Sequence, residues 1–486
     1  MKNRYGEIKL KDFYRFIELK MVCFYAHGRT DEIVAYATYA RCTSKERFIF
    51  PARFKMEREM FELLKIYIEA GKEKLKSVKG NLYVFFRWSL IAILVGISVG
   101  AFSTAFGHCI NLATEFRGES YEMIYFLPLA GIFIVYMYKV CDYEKNKGTD
   151  QVFLTVHAET KDIPFRMAPL IFVSTVLTHL TGGSAGREGA ALQMGGSLGS
   201  TIGRLADLDE NDRRVLVMCG MSAAFSALFG TPMAATIFAM EVESIGIMYY
   251  AALVPCALSA IIASNFAINM GINPESFTVK AVPELTVFTS LKVVILAVIC
   301  AYISALFCIM LHTVGKNLKK YLKNPYVRII TVSLVIILIT VLLGTSDYMG
   351  AGINVIERAI DGEVKPEAFL LKMILTALAL GAGFKGGEIV PSFYIGATAG
   401  CLLGYILGIS PSFAAALGMT AVFCGVTNCP ISSVLISFEL FGYSGNCFYL
   451  ITAAIAYLLS GYYSLYSGQK IMYSKAKTEY INYKTK

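Results

Sequence analysis

Residues 181–200 read TGGSAGREGAALQMGGSLGS. Gly186-Arg187-Glu188-Gly189 places two charges inside a long apolar region, among Gly182, Gly183, Gly195, Gly196 and Gly199. An ionisable residue at membrane depth is costly and marks an ion or proton pathway. Glycine-interrupted apolar segments suit broken helices, whose positive N-termini point at anions near the midplane. This stretch therefore predicts an integral membrane protein that moves a small anion, with Glu188 as its gate. A carboxylate opening a helix is stabilised by free amides and the helix dipole. It sits as a tethered competitor in an anion site, and protonation frees it to swing away. The alternative reading is a buried Arg187–Glu188 ion pair with no further role.

The same pattern returns downstream. Gly381-Ala-Gly-Phe-Lys385-Gly-Gly387-Glu388-Ile389-Val390-Pro391 is a second glycine-rich approach to a helix, with the proline in the first turn, where no donor is lost. Its amides are expected to face the same anion from the other half of the molecule; otherwise it is an ordinary interhelical loop. Pro232 precedes Glu241 by nine residues, and Pro430 precedes Glu439 by nine. The two proline segments are offset by 198 residues and the two glutamates, Glu188 and Glu388, by 200. Two pairs in register indicate an internal duplication, and duplicated halves with broken helices at matching positions place a transport site at the repeat interface.

The chain has 486 residues, 56% of them hydrophobic and 17% charged, with mean hydropathy +0.55. Apolar blocks at 82–113, 122–140, 165–181, 189–205, 213–230, 232–270, 286–314, 326–346, 367–384, 389–409, 411–427, 430–442 and 446–466 point to one polytopic, all-α membrane domain. The shorter ones suggest half-membrane helices, tolerated where protein or a water-filled cavity covers their ends. Three parts are expected: an N-terminal cytoplasmic segment 1–80, partly disordered; a transport domain 81–475; and a tail 476–486. Within the first, Met56 to Lys79 reads as an amphipathic cytoplasmic helix leading into the first span, and Met56 or Met60 is an alternative start. The net charge of +9 concentrates in connectors such as Lys316 to Arg328, which places that loop and both termini in the cytoplasm by the positive-inside rule and leaves no case for nucleic-acid binding.

Twelve cysteines stand mostly alone in apolar runs, and His27, His108, His157, His179 and His312 form no ligand set, so neither a metal nor a cofactor is indicated. An intramembrane serine hydrolase built on Ser184 and His179 is disfavoured, because five residues along one helix point to different faces. A transporter of an organic substrate fits less well than one of an inorganic anion, since the glycine-lined site is small.

These motifs resemble the CLC family of chloride channels and proton-coupled anion antiporters, over roughly residues 85–475. GREG at 186–189 is similar to the family's gating-glutamate motif, with Ala190 where proline is usual. FKGGEIVP at 384–391 is similar to its GGxFxP motif, with Ile389 for phenylalanine. Lys147-Gly148-Thr149-Asp150-Gln151 stands where the family has GSGIP, which makes Thr149 the counterpart of its coordinating serine, and Tyr473 falls at its central tyrosine. The resemblance implies an inverted repeat of tilted and half-length helices, a homodimer with one pathway per subunit, and chloride, fluoride or a similar anion moving with or without protons through a cell membrane. It implies Thr149, Gly186, Arg187, Gly189, Gly387, Glu388, Ile389, Val390 and Tyr473 at the anion and Glu188 as the proton-linked gate. Val242 replaces the inward glutamate of the chloride antiporters. GGSAGREG and KGGE look closer to the fluoride-exporting branch, although that branch has methionine at Thr149 and threonine at Val390.

Overall fold

The computed structural model describes residues 36–38, 49–51, 58–144, 148–157 and 162–485, and divides into two units, Met1–Phe86 and Arg87–Lys486. In the first, β1 (Tyr36–Thr38) pairs antiparallel with β2 (Ile49–Pro51). Met56 lies outside the described residues. The described part of the segment 56–79 and the first apolar block both fall within α1 (Arg58–Glu119).

The second unit continues with α2 (Leu127–Val140), α3 (Thr149–Val156), α4 (Met167–Leu180), α5 (Glu188–Leu205), α6 (Glu210–Phe229) and α7 (Pro232–Glu241). After β3 (Ser244–Ile245) come α8 (Leu253–Asn269), α9 (Val287–Tyr321), α10 (Pro325–Leu343), α11 (Ile353–Asp361), α12 (Ala368–Ala382), α13 (Ile389–Leu407), α14 (Pro411–Thr427), α15 (Pro430–Phe441) and α16 (Asn446–Leu459). Among the described residues, six helical stretches are long and apolar enough to cross a membrane, and five further apolar helices are shorter. The chain is a multi-pass, mostly helical membrane protein.

Two details depart from the block pattern. The apolar run 232–270 breaks after Glu241 into a turn, β3 and a short 3₁₀ segment before α8 begins. The helical expectation also omitted a small sheet in which β4 (Lys470–Tyr473) pairs parallel with β3 and antiparallel with β5 (Tyr480–Lys484). The end of the chain is thus tied into the body: the Thr485 hydroxyl donates to the Tyr466 carbonyl at 2.7 Å.

The duplication is visible in three places. First, α5 and α6 touch through backbone: a methyl group at Gly195 would lie 2.1 Å from the Gly220 carbonyl oxygen. Their counterparts α13 and α14 do the same, with 2.1 Å between a methyl at Gly418 and the Gly396 oxygen. Second, α6 ends on Gly230 and α14 on Asn428, both in the left-handed conformation (φ 71° and 60°), and Pro232 and Pro430 then open α7 and α15. Third, these two helices cap each other. The Glu241 carboxylate, at the C-terminal end of α7, accepts from the amides of Ile431 (3.1 Å) and Ser432 (2.8 Å) and from the Ser432 hydroxyl (2.5 Å). Reciprocally, the Glu439 carboxylate accepts from the amides of Met233 (2.9 Å) and Ala234 (2.8 Å). Each carboxylate opposes its own helix dipole and satisfies its partner's. Phenylalanines join the halves between these contacts, in a chain of rings from Phe225 through Phe229, Phe393 and Phe423 to Phe238.

Candidate functional site: a carboxylate at the seam of the two halves

The two glycine-rich approaches meet. Gly186 and Gly387 form an isolated antiparallel bridge, each amide donating to the other's carbonyl at 2.7 Å. The approach is too close for side chains: a methyl at Gly387 would sit 2.4 Å from the Gly189 nitrogen, and one at Gly189 would sit 2.8 Å from the Gly387 Cα. The bridge fixes the starts of α5 and α13 side by side, so the positive ends of both helices lie next to each other.

Glu188 is the first residue of α5 and is 1% exposed. Its Oε2 accepts from the Arg187 amide at 3.1 Å and its Oε1 from Arg187 Nε at 3.1 Å. The carboxylate thus lies against the start of its own helix, held by the amide and guanidinium of the preceding residue. The Arg187 guanidinium also donates to Glu275 (2.6 Å) and Asn111 (3.2 Å). Glu188, Glu275, Val390, Phe229 and Phe393 line a chamber of about 10 Å³, no larger than a single water position.

Across the bridge the site opens into a cavity of about 480 Å³ lined by Thr149, Gln193, Lys385, Glu388 and Tyr466, with Lys316 and Lys319 also on its wall. Thr149 opens α3 and is buried, and its hydroxyl accepts from Gln193 Nε2 at 3.0 Å. Lys147 of the expected loop lies outside the described residues. Glu388 precedes α13, and its Oε2 has no hydrogen-bond partner. Ile389 and Val390 are buried in the first turn of that helix.

The structure therefore gathers Gly186, Arg187, Glu188, Gly189, Gly387, Glu388, Ile389 and Val390 around the bridge, with Thr149 on the adjoining cavity. It does not bring Tyr473 there. That residue lies on β4, is 46% exposed and stacks edge-on with Tyr480, so it does not take the place the resemblance implied. Tyr466, seven residues earlier, lines the cavity instead, with its hydroxyl buried and unpartnered. The turn that carries it is held by Asp150, whose carboxylate accepts from the Gly468 amide at 2.8 Å and from the Ser467 hydroxyl. Sequence reasoning also missed Gln193 and Glu275. Ser184 pairs with Thr376 at 3.0 Å rather than with His179. Among the described residues no group of three or more His, Cys, Asp or Glu has the arrangement of a metal site.

A family model described as voltage gated chloride channel matches residues 130–461. The chain is 33% identical over 395 residues to a chloride/fluoride channel protein of Pseudomonas syringae pv. tomato, covering 80% of this chain and 87% of that one. Among solved structures it resembles a CLC-type fluoride/proton antiporter (TM-score 0.77, 35% identity, 79% of this chain and 98% of the other). It also resembles a slow cyanobacterial Cl⁻/H⁺ antiporter (TM-score 0.66, 18% identity, 77% and 94%), a likeness of fold.

Proposed function

The chain belongs to the CLC, or voltage gated chloride channel, family of anion transporters, and on that premise we propose that it exchanges fluoride for protons through the Glu188 gate. The observation that carries the reading is the pair of carboxylates, Glu188 and Glu388, on the two sides of the Gly186–Gly387 bridge. A channel needs one gate. Two buried acids flanking one anion position supply a proton carrier on each side of it. The printed descriptions of the relatives at 33% and 35% identity support fluoride as the anion.

In this reading an ionised Glu188 fills the anion position. Protonation removes its attraction for the Arg187 guanidinium and amide, the side chain leaves, and an anion takes its place on the amides at the start of α5. The amides of Gly387 through Val390 and the Thr149 hydroxyl receive the anion from the cavity side. The Glu388 carboxylate itself repels an anion and admits one only when protonated, which ties each anion step to a proton. Lys316, Lys319 and Lys385 raise the local anion concentration in the cavity. The cavity side faces the cytoplasm in this reading, as the basic connector Lys316 to Arg328 supports. The protein acts in the cell membrane, where exposed apolar side chains on α8 and α16, such as Ile261 (48%) and Leu450 (60%), face lipid or a second copy of the chain.

The test is reconstitution in liposomes with fluoride or chloride gradients imposed separately while internal pH and anion release are recorded. Uphill proton movement driven by fluoride, abolished by Glu188→Gln, is expected. The same movement driven by chloride alone makes chloride the substrate. Anion release without proton movement makes the protein a channel.

A further inference from the structure

The gate has a third member. Arg187 stands between two carboxylates, donating from Nε to Glu188 at 3.1 Å and from Nη2 to Glu275 at 2.6 Å. The Arg187 and Glu188 side chains are 6% and 1% exposed, whereas Glu275 is 19% exposed. Glu275 lies on the extended segment between α8 and α9, and that segment is tied down on both sides. The Glu275 amide donates to the Phe229 carbonyl at 3.0 Å and the Phe277 amide to the Leu440 carbonyl at 2.8 Å. Glu275 and Glu188 also share the small chamber.

One cation facing two carboxylates leaves an excess negative charge while both acids are ionised, and a single proton balances the cluster. Geometry decides which acid lets go. Glu275 holds the shorter bond and the contact with solvent; Glu188 holds the longer bond in the drier place. Arg187 is further restrained by Asn111 (3.2 Å) from α1 and by the Leu228 carbonyl (3.5 Å) from α6, so it stays when Glu188 leaves. The other titratable groups around the gate are Glu388 at the start of α13, whose Oε2 approaches Gly189, and His179 near the end of α4. Arg117 of α1 donates to the His179 carbonyl at 2.5 Å.

We propose that Glu275 is a positioning residue for the Glu188 gate: it keeps Arg187 in place while Glu188 swings, and it sets how acidic the medium must be before the gate opens. Two effects have the same sign. Removing Glu275 takes a negative charge away from Glu188, and it leaves the whole of Arg187 to hold the Glu188 carboxylate. Both make Glu188 harder to protonate and to release, so opening needs a lower pH.

This inference rests on Glu188 being the gate, and the experiment separates the two. Wild type, Glu188→Gln, Glu275→Gln, Glu275→Ala and the double variant Glu188→Gln/Glu275→Gln are reconstituted in liposomes. The initial rate of fluoride release is followed as pH is varied equally on both faces. Removing one of two competing charges at contact distance shifts a carboxylate by about one unit or more. The Glu275 variants are therefore expected to reach half-maximal rate about one pH unit lower than wild type, a loss of about tenfold in rate well above the midpoint. Glu188→Gln and the double variant are expected to be equally flat with pH. A Glu275 variant that lowers the rate at every pH without moving the midpoint, or matches wild type, overturns the inference while the flat Glu188→Gln profile keeps the gate. A Glu188→Gln protein with the wild-type pH profile overturns the gate itself. The two Glu275 substitutions are read independently, so one folded variant suffices.

Discussion

Replacing Glu241 by alanine removes three hydrogen bonds at the start of α15 and leaves the amides of Ile431 and Ser432 without a cap. Loss of a helix cap costs about 1 kcal/mol, and each buried donor left unsatisfied adds about 1–3 kcal/mol. Against this stands the relief of no longer burying a charge. The net expectation is about 2–4 kcal/mol. Glu439→Ala removes the mirror-image cap from α7, but there the carboxylate is half-buried and accepts two bonds rather than three, with no hydroxyl among its donors. Water can replace part of it, and the expected cost is about 1–2 kcal/mol. Glu241→Gln keeps one acceptor oxygen for three donors and should fall between. The assay is thermal unfolding in detergent followed with a thiol-reactive dye, since buried cysteines, among them Cys429 immediately before α15, react only once the fold opens. The order of midpoints should be wild type, Glu439→Ala, Glu241→Gln, Glu241→Ala, from highest to lowest. A Glu439→Ala midpoint at or below that of Glu241→Ala would refute the argument that burial and donor count rank the two caps.

Three other outcomes follow from the geometry. Gly195→Ala and Gly418→Ala each drive a methyl to 2.1 Å from a carbonyl oxygen of the facing helix, and both should lose several-fold in folded yield, on the order of 1–3 kcal/mol or more; wild-type yield and midpoint for either would disprove the backbone contact. Tyr466→Phe should change anion selectivity or coupling in liposome flux assays while Tyr473→Phe leaves both unchanged; the reverse result would return Tyr473 to the pathway. Glu243, in the turn between α7 and β3, is held by burial at about 8, against the opposing pull of Arg214 and Lys470, with His157 Nε2 3.7 Å away. The unfolded chain loses this proton near 4.5 and the folded chain keeps it to about 8, so stability should fall as pH rises through that interval. Glu243→Gln should flatten this part of the unfolding-midpoint profile, and a profile as steep as wild type would assign the dependence to another group.

The parts of the molecule that could be read from sequence are those written in short, repeated patterns. GREG and KGGE needed only to be recognised as two copies of one device for their meeting at Gly186 and Gly387 to be expected, and the paired Pro–Glu segments marked the two helices that cap each other. What escaped depends on contacts between distant positions. Glu275 lies in an extended loop with no periodicity, and its partner Arg187 is 88 residues away. Among 29 tyrosines, Tyr466 closes the last apolar block and Tyr473 follows it by seven residues, and only tertiary packing puts the first into the cavity and the second onto a strand. That strand exists because Ser244–Ile245 offers it an edge, and such pairing is set by context more than by local propensity. The run 232–270 stays apolar through its turn, so hydropathy alone could not reveal the break after Glu241.

The glycine-to-carbonyl contacts within each half, and the phenylalanine chain that joins the halves, bear on the tempo of transport. Helices in backbone contact cannot slide or rock without first separating, and a close-packed interior shifts between discrete arrangements rather than yielding gradually. A carboxylate leaving a helix end needs only rotations about its own side-chain bonds, motions of picoseconds to nanoseconds where space allows, against microseconds to milliseconds for a rigid-body domain swing. If Glu188 is the gate proposed above, the cadence of transport is set by the waiting time for a proton there, and acidification of the medium, more than warming, should be the means of speeding it.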